Sequence, residues 1–362
     1  MYKIAIGSNI IKGPWGGGNQ FAVSLINYLK GKGWQTSDKL KDKNIDLILL
    51  TEPRITSKTS SFNQREIARY IFHNPYTIVF HRINECDERK GTKGVNKYLM
   101  RANRVADYTI FISRFLMELF EKQGYMKNKE YCFLRNGADS EVFNRNNKRI
   151  WDKKEPVKIV THHWGYNYNK GFDLYLALDK LKKINEFEFE FTYIGRIPEK
   201  LKLSNIKVIP PLSGTVLAEE LKKHDIYLTA SMNEPAGMHH IEGAMCGLPL
   251  LYRDSGALPE YCEGFGVMFN DNLMDFNEKF TELVNNYDYY FEKIADYPFS
   301  SEFMVKNYEK MFLKVLDNKK SFNISKRRIK YLKIFIKESI LIVIDTIKIK
   351  LKNLHKRIRK IG

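Results

Sequence analysis

Short apolar runs alternate along the chain with longer stretches in which apolar residues recur every three or four positions. The short runs predict strands over residues 3–7, 46–50, 77–80, 108–112, 158–161, 190–194, 207–209, 226–230 and 248–252. The longer stretches predict helices, among them residues 20–30, 115–123, 172–183 and 216–223. This alternation is typical of an α/β protein in which helices cover both faces of parallel sheets.

The length of the chain, 362 residues, indicates two such domains. We expect a first doubly wound, Rossmann-like domain over residues 1–150 and a second over residues 151–297. The polar and charged segment 144–156 is the best candidate for the hinge between them. Because open sheets of this kind bind ligands at the carboxyl ends of their strands, the residues that directly follow the strands are the candidates for chemistry.

The net charge of +18 is concentrated in a C-terminal tail, residues 318–362. Residues 319–362 hold fifteen Lys and Arg against only Glu338 and Asp345, so thirteen of the eighteen net charges lie there. Apolar residues follow helical spacing through the tail, at Ile329, Leu332, Ile336, Ile340, Val343, Ile347, Leu351, Leu354 and Ile358. We predict a basic amphipathic helix that lies on an anionic membrane surface. A partner-binding helix and a solvated tail are the alternatives.

A strongly basic chain also fits a nucleic-acid-binding protein. This sequence shows no recognition helix, RNA-stacking aromatic motif or zinc-ligand pattern, so we expect no nucleic-acid partner. Its four cysteines lie far apart, which argues against a disulfide framework or a zinc site. No signal peptide is expected. These features favour a cytoplasmic protein, attached peripherally to the cytoplasmic face of the membrane through the tail.

The segment 231–247, SMNEPAGMHHIEGAMCG, carries the most informative pattern in the chain. It follows a predicted strand, and Pro235 suits the first turn of a helix. The free backbone N–H groups of Ala236, Gly237 and Met238 would then face the carboxyl edge of the sheet, where they suit a phosphate.

Glu234 and Glu242 lie eight positions apart, one before this helix and one inside it. Both could reach one ligand and grip hydroxyls at its opposite ends. The alternative is an acid favoured by the helix dipole together with an ordinary surface glutamate. The spacing of this pair alone does not decide between the two interpretations. For His239 and His240 we expect that one faces the core and one the cleft, without a chemical role.

Two further candidates follow strands of the first domain. Gly17 and Asn19, within a glycine run at 16–18, would turn backbone amides toward a phosphate or sugar, and Asn19 would cap the next helix. His81 ends the predicted strand 77–80 and could orient an acceptor hydroxyl. The respective alternatives are a flexible loop and a loop that hydrogen-bonds its own backbone.

Taken together, these segments resemble glycosyltransferase family 4, which comprises retaining, metal-independent enzymes of the GT-B fold. The resemblance rests on the E-x7-E element at Glu234 and Glu242 and covers about residues 1–317. Other stretches fall in the family's order: the glycine run, Leu134-Arg-Asn-Gly-Ala-Asp, Lys170-Gly171 and Asp254-Ser-Gly-Ala-Leu-Pro-Glu260. Residues 298–317 are similar to the family's helix that crosses back onto the first domain.

The resemblance implies transfer of a hexose-type sugar from a nucleotide-diphosphate sugar to a glycan hydroxyl, with retained anomeric configuration. Glu234 would then contact hydroxyls of the donor sugar and Glu242 the nucleotide ribose, while Lys170 and the amides of 236–238 hold the diphosphate. No metal or other cofactor is expected. Together with the basic tail, the resemblance points to cell-surface polysaccharide or lipid-linked glycan assembly.

One position departs from the family, which usually carries an Arg five residues before the Lys of its Lys-Gly pair. Here that position is Gly165. A diphosphate leaving group needs compensating cations or donors. We expect them from nearby polar residues, namely His162, His163, Asn167 or Arg196. The alternative for Arg196 is that it lies in a surface loop, where water solvates its charge.

Two other functions remain open. One is a nucleotide-sugar 2-epimerase-type GT-B enzyme, which would release free sugar without an acceptor. The other is a catalytically inactive, basic nucleic-acid-binding or scaffold protein, which only the missing Arg and the isoelectric point near 9.4 support.

Overall fold

The computed structural model describes residues 1–11, 16–125, 130–317 and 322–358, with the side chains of the final helix described as far as Leu351. The side chains of Leu354 and Ile358 in the predicted stripe therefore lie outside the described residues, as do residues 318–321 and 359–362 of the predicted tail.

Strands and helices alternate through these ranges. The strands are β1 Lys3–Ile6, β2 Gln35–Ser37, β3 Leu47–Leu50, β4 Ile78–Ile83, β5 Tyr108–Phe111, β6 Glu130–Phe133, β7 Val157–His163, β8 Lys183–Ile184, β9 Phe187–Gly195, β10 Lys207–Ile209, β11 Ile226–Thr229, β12 Leu250–Arg253 and β13 Gly266–Phe269. The α-helices are α1 Gly17–Gly31, α2 Gln64–His73, α3 Val95–Ala102, α4 Arg114–Lys122, α5 Phe172–Leu178, α6 Gly214–Leu221, α7 Met238–Met245, α8 Leu258–Cys262, α9 Leu273–Asn285, α10 Tyr287–Lys293, α11 Ser301–Asp317 and α12 Ile324–Ile358.

The first sheet is parallel, with the strand order β2-β1-β3-β4-β5-β6. Its central strands are buried at every position of Leu47–Leu50 and Ile78–Ile83, as helices on both faces require. Progress along the sheet reverses between β1 and β3, so the carboxyl ends of these two strands open a crevice.

The second sheet has the order β10-β9-β7-β11-β12-β13, again with parallel pairs, and the short β8 pairs antiparallel with β9. The predicted helix over 172–183 is therefore too long: it ends at Leu178, and Lys183 already belongs to β8. In this sheet the reversal lies between β7 and β11, where Ile226 pairs with Ile159. A second crevice follows at their carboxyl ends.

Helix α11 returns the chain to the first domain. Its residues Met304, Tyr308 and Phe312 are buried in one cluster with Ile4 of β1 and Phe21 of α1. The aromatic ring of Tyr308 lies 5.0 Å from that of Phe21. This packing ties the end of the second domain to the first sheet.

Helix α12 follows and packs along α2. Tyr331 is fully buried there, and its hydroxyl donates a 2.7 Å hydrogen bond to the carbonyl of Val105. Among the residues that the structure describes, no helix combines the length and the apolar composition needed to cross a bilayer.

Candidate active site

A cleft of about 440 Å³ lies where the carboxyl edges of the two sheets face each other. Residues after β1 and β3 line one side, among them Asn19 and Thr51, and residues after β7 and β11 line the other, among them Trp164 and Gly237. Since these strands mark the reversal points of both sheets, the topology itself places the cleft.

Lys170 and Glu234 form a buried ion pair, of which Lys170 lines the cleft and Glu234 is not among the lining residues. Lys170 is 4% exposed and Glu234 is 1% exposed, and the Lys170 ammonium donates to Oε2 of Glu234. Burial alone would raise the pKa of Glu234, but Lys170 and Arg89 outweigh it and lower that pKa to about 2. Glu234 is therefore ionised at neutral pH, and it keeps a cation in place beside the cleft.

Gly171 allows Lys170 to lie so close to β11. The backbone of Gly171 has a φ of 100°, and a Cβ atom there would collide with Ala230 at the end of that strand. The two residues of the Lys-Gly pair therefore depend on each other, because the glycine permits the backbone turn that places the lysine beside β11.

Glu242 lies on α7 and lines the cleft directly. Its Oε2 is 2.7 Å from Nε2 of His162, whose Nδ1 lies 3.1 Å from the hydroxyl of Tyr227. A carboxylate only accepts, so the proton of His162 sits on Nε2 and fixes the orientation of Glu242. Among the described residues no hydrogen bond engages Oε1, which leaves it available to a hydroxyl of a ligand.

His163 and His239 line the same wall, with ring centroids 4.6 Å apart. Burial and the nearby Lys170 hold the pKa of His163 well below its usual range, and burial beside His163 does the same for His239. Both rings are neutral at pH 7. His163 can therefore donate a hydrogen bond from a neutral ring. It does not supply the positive charge that the family's Arg carries at the position of Gly165. His240 is buried against Tyr261, so one of the two adjacent histidines faces the cleft and the other the core, as predicted.

Helix α7 begins later than Pro235 predicts. Gly237 is the residue before its first turn and Met238 is the first helical residue, so the free amides belong to Met238 and the residues after it. Ala236 adopts a φ of 138°, and its carbonyl accepts from Asn136 instead of facing the cleft. Ala236 is not among the residues that line the cleft, which corrects the prediction that it contributes an amide there, whereas Gly237 and Met238 do line it.

The first domain approaches α7 through its glycine run. A Cβ atom on Gly17 would overlap the side chain of Met238, so only glycine permits this contact across the cleft. Asn19 lies inside the first turn of α1 and does not cap it. Its side chain instead exchanges two hydrogen bonds with the backbone of Ile11, which ties that residue to the start of α1.

His81 does not reach the cleft, which corrects its predicted placement. Strand β4 continues to Ile83, so His81 lies within it and is fully buried, with Nδ1 3.0 Å from Oδ1 of Asn103. Neighbouring residues of a strand face opposite sides, and here Arg82 faces the cleft.

Asn167 lines the cleft, close to Gly165, but Arg196 does not. The guanidinium of Arg196 stacks on the ring of Trp164, 4.4 Å from its centroid. Arg196 is not among the residues that line the cleft. Of the side chains expected to replace the family's Arg, the structure therefore brings His162, the neutral His163 and Asn167 to the cleft but leaves out Arg196, the one arginine of this group.

Two arginines of the first domain fill that gap, and sequence reasoning missed both. Arg89 lies in a 3-10 turn, and its Nε is 3.6 Å from Oε1 of Glu234 across the cleft. Arg82 is 2% exposed, and its Nη1 has no hydrogen-bond partner among the described residues. Their signal in the sequence was the charged loop after the third predicted strand, which looks like an ordinary polar loop unless the surface that it faces is known.

Within the described ranges no group of three or more His, Cys, Asp or Glu side chains is arranged to hold a metal ion.

Known proteins share this fold. Residues 144–296, which contain the whole second sheet, match the family model described as glycosyl transferases group 1. Similar solved structures cover nearly all of the chain. Sucrose-phosphate synthase from Thermosynechococcus elongatus aligns with 88% of this chain and 100% of its own, at 11% identity and a TM-score of 0.63. A glycosyltransferase from Rickettsia africae aligns with 88% and 99%, at 14% identity and 0.60. Anabaena HepE in complex with UDP and glucose aligns with 87% and 100%, at 11% identity and 0.59.

The chain has the GT-B fold. No curated protein matches its sequence. The family match over the second domain supports glycosyltransferase activity with a nucleotide-sugar donor.

Direct hydrogen bonds join the two domains of this GT-B fold. The carboxylate of Glu260 accepts from the backbone N–H groups of Arg114 and Phe115, at 2.8 and 2.7 Å, and so caps helix α4 of the other domain. The amide of Asn136 donates to the carbonyl of Ala236 at 2.8 Å. The Asp254–Glu260 motif of the GT-B sequence pattern thus ends in a residue that joins the two domains.

Proposed function

We propose that this protein is a retaining, metal-independent hexosyltransferase. It moves a sugar from a nucleotide-diphosphate donor to a hydroxyl of a glycan, which we take to be a cell-surface polysaccharide or a lipid-linked glycan. The observation that carries the proposal is the position of Glu242, Lys170 and the start of α7 around one cleft, within the segment that matches a glycosyltransferase family.

The second domain would hold the donor. Oε1 of Glu242 is available to a ribose hydroxyl, while His162 holds the other oxygen. The free N–H groups at the start of α7 face the cleft beside Lys170, and both suit a diphosphate. Glu234 would contact hydroxyls of the donor sugar once the donor draws Lys170 and Arg89 toward its phosphates.

Arg89 is our candidate for the charge that Gly165 lacks. Its guanidinium reaches the Lys170–Glu234 pair from the first domain. Within the first domain the same guanidinium is paired with Glu85, whose Oε2 lies 3.3 Å from Nη1 of Arg89. A guanidinium pairs well with phosphate oxygens because its donors match their geometry. A cation that comes from the opposite domain would link diphosphate binding to closure of the cleft.

In the proposed reaction the bond between the anomeric carbon and the β-phosphate oxygen breaks. The acceptor oxygen bonds to the same face of that carbon, and its proton passes to the departing phosphate oxygen. No separate base is then required. Lys170, Arg89 and the amides of α7 stabilise the negative charge that develops on the diphosphate. The acceptor would lie on the first-domain side, near Gly17 and Asn19.

The experiment is a turnover assay with a panel of nucleotide-diphosphate sugars, with and without glycan acceptors, in which anomeric configuration is read by NMR. We expect a product with the donor's configuration. Glu242→Ala and Lys170→Ala should abolish turnover while the fold persists by circular dichroism. Full activity in both variants would refute the site. Free sugar as the only product, with no transfer to any acceptor, would instead establish the epimerase-type function.

A further inference from the structure

Helix α12 is attached to the first domain by polar contacts. Arg327 pairs with Asp107 through two hydrogen bonds of 2.7 Å. Farther along the helix, Glu338 is 1% exposed and lies 3.2 Å from Nε of Arg101, which also donates to Asp345 at 2.8 Å. Ion pairs at three points along one face of α12, spaced two to three turns apart, therefore hold that face against the domain.

The apolar stripe of α12 lies on the opposite face. Successive helical residues are rotated by about 100°, so Ile340 lies roughly 160° around the helix from Glu338. The exposed fractions of the described stripe residues lie between 41% and 60%, namely those of Ile329, Leu332, Ile336, Ile340, Val343, Ile347 and Leu351, and Ile344 beside them is 39% exposed. A helix docked on a domain ordinarily buries its apolar side, and this one presents it to the exterior.

Positive charge flanks the exposed stripe without opposing acids. The described exposed cations of the helix are Lys326, Arg328, Lys330, Lys333, Lys337, Lys348 and Lys350. Both acids of the helix, Glu338 and Asp345, face the domain and are paired with Arg101. The outward half of α12 is therefore apolar along its centre and cationic along its edges.

An apolar notch of about 210 Å³ opens between α2 and α12 beside the stripe. Phe72, Leu332 and Phe335 supply its apolar wall, and Arg69 and His73 stand at its edge. Its lining combines apolar surface with a cation, as an acyl chain and its phosphate head group require.

We propose that the outward face of α12 binds an anionic lipid surface, with the stripe in the acyl boundary and the lysines at the head groups. Charge complementarity selects this occupant. A second copy of the chain would place its own cations against these, which like-charge repulsion disfavours. The ion pairs that fix α12 to the first domain would hold the proposed acceptor side at the membrane. This inference does not depend on the reaction.

The test is co-sedimentation of the full chain with vesicles of phosphatidylcholine mixed with phosphatidylglycerol, and with vesicles of phosphatidylcholine alone. We expect binding to the mixed vesicles that weakens in high salt. Ile336→Ser with Ile347→Ser should lower the partition coefficient about tenfold or more. The triple variant Lys333→Gln, Lys337→Gln and Lys348→Gln should reduce the ratio of the partition coefficients for mixed and for phosphatidylcholine vesicles by a similar factor.

The matched control is Ile150→Ser with Met274→Ser, which removes two apolar side chains of 66% and 75% exposure from other surfaces. It should sediment like the parent. Circular dichroism and thermal melting establish that each variant is folded. The proposal is overturned if the parent stays in the supernatant, if the stripe variant sediments as well as the parent, or if the stripe instead drives dimers or DNA binding.

Discussion

Replacing Arg89 by methionine is expected to weaken the binding of nucleoside diphosphates. In the structure its guanidinium is partly buried, 3.6 Å from the Glu234 carboxylate and close to Lys170, at the place proposed for the diphosphate. A hydrogen bond to a charged group contributes about 1.5–3 kcal/mol. Its loss corresponds to a roughly 10- to 150-fold weaker affinity. Arg89→Lys should restore part of it, because the charge returns without the paired donors.

The assay is isothermal titration of nucleoside diphosphates and monophosphates, where the monophosphate lacks the terminal phosphate and serves as an internal control. Arg196→Met is the matched variant, because Arg196 stacks on Trp164 outside the cleft lining. We expect Arg89→Met to lose diphosphate affinity while monophosphate affinity stays the same, and Arg196→Met to lose neither. The opposite pattern, with only Arg196 mattering, would refute the assignment of Arg89.

Three further predictions concern stability and packing. Glu234→Gln leaves Lys170 buried without its anion and should destabilise the protein at pH 7 by about 3–5 kcal/mol. Since the pKa of Glu234 is lowered to about 2, its stabilising effect is present above its ordinary pKa and fades as pH falls toward 2. Urea unfolding should therefore show parent and variant converging in acid, and a constant gap would contradict this. Gly17→Ala should lower turnover, because its methyl overlaps Met238, and Met238→Ala in the same chain should restore it. Glu338→Ala should cost about 1–3 kcal/mol of docking energy and expose α12 to protease, with donor hydrolysis unchanged.

The pattern of apolar runs is sufficient to predict the central strands of both sheets, and each predicted strand overlaps an observed one. The strands it misses are β2, β6, β8 and β13. Three of these are edge strands of their sheets. None of the four buries a continuous apolar run: β2 and β6 have no buried residue, β8 has only two residues, and β13 buries only Val267 and Phe269.

The residues of the site also differ in how far the sequence could locate them. Glu242 and Lys170 belong to local motifs and could be located from the sequence, whereas Arg89 acquires its role only through a contact between domains. Likewise, the sequence displays the apolar stripe of the tail, but helical spacing cannot say which face docks. The ion pair between Glu338 and Arg101 decides that, and it joins residues far apart in the chain.

The central claim is that the cleft binds a nucleotide-diphosphate sugar through Glu242 and Lys170. The most direct measurement is a thermal-shift titration of the parent, Glu242→Ala and Lys170→Ala against a panel of nucleotide-diphosphate sugars, because a ligand that binds only the folded state raises the melting temperature. The account predicts that at least one donor stabilises the parent and that neither variant responds to it. Stabilisation of both variants to the parent's extent, or no response of the parent to any donor, would contradict it.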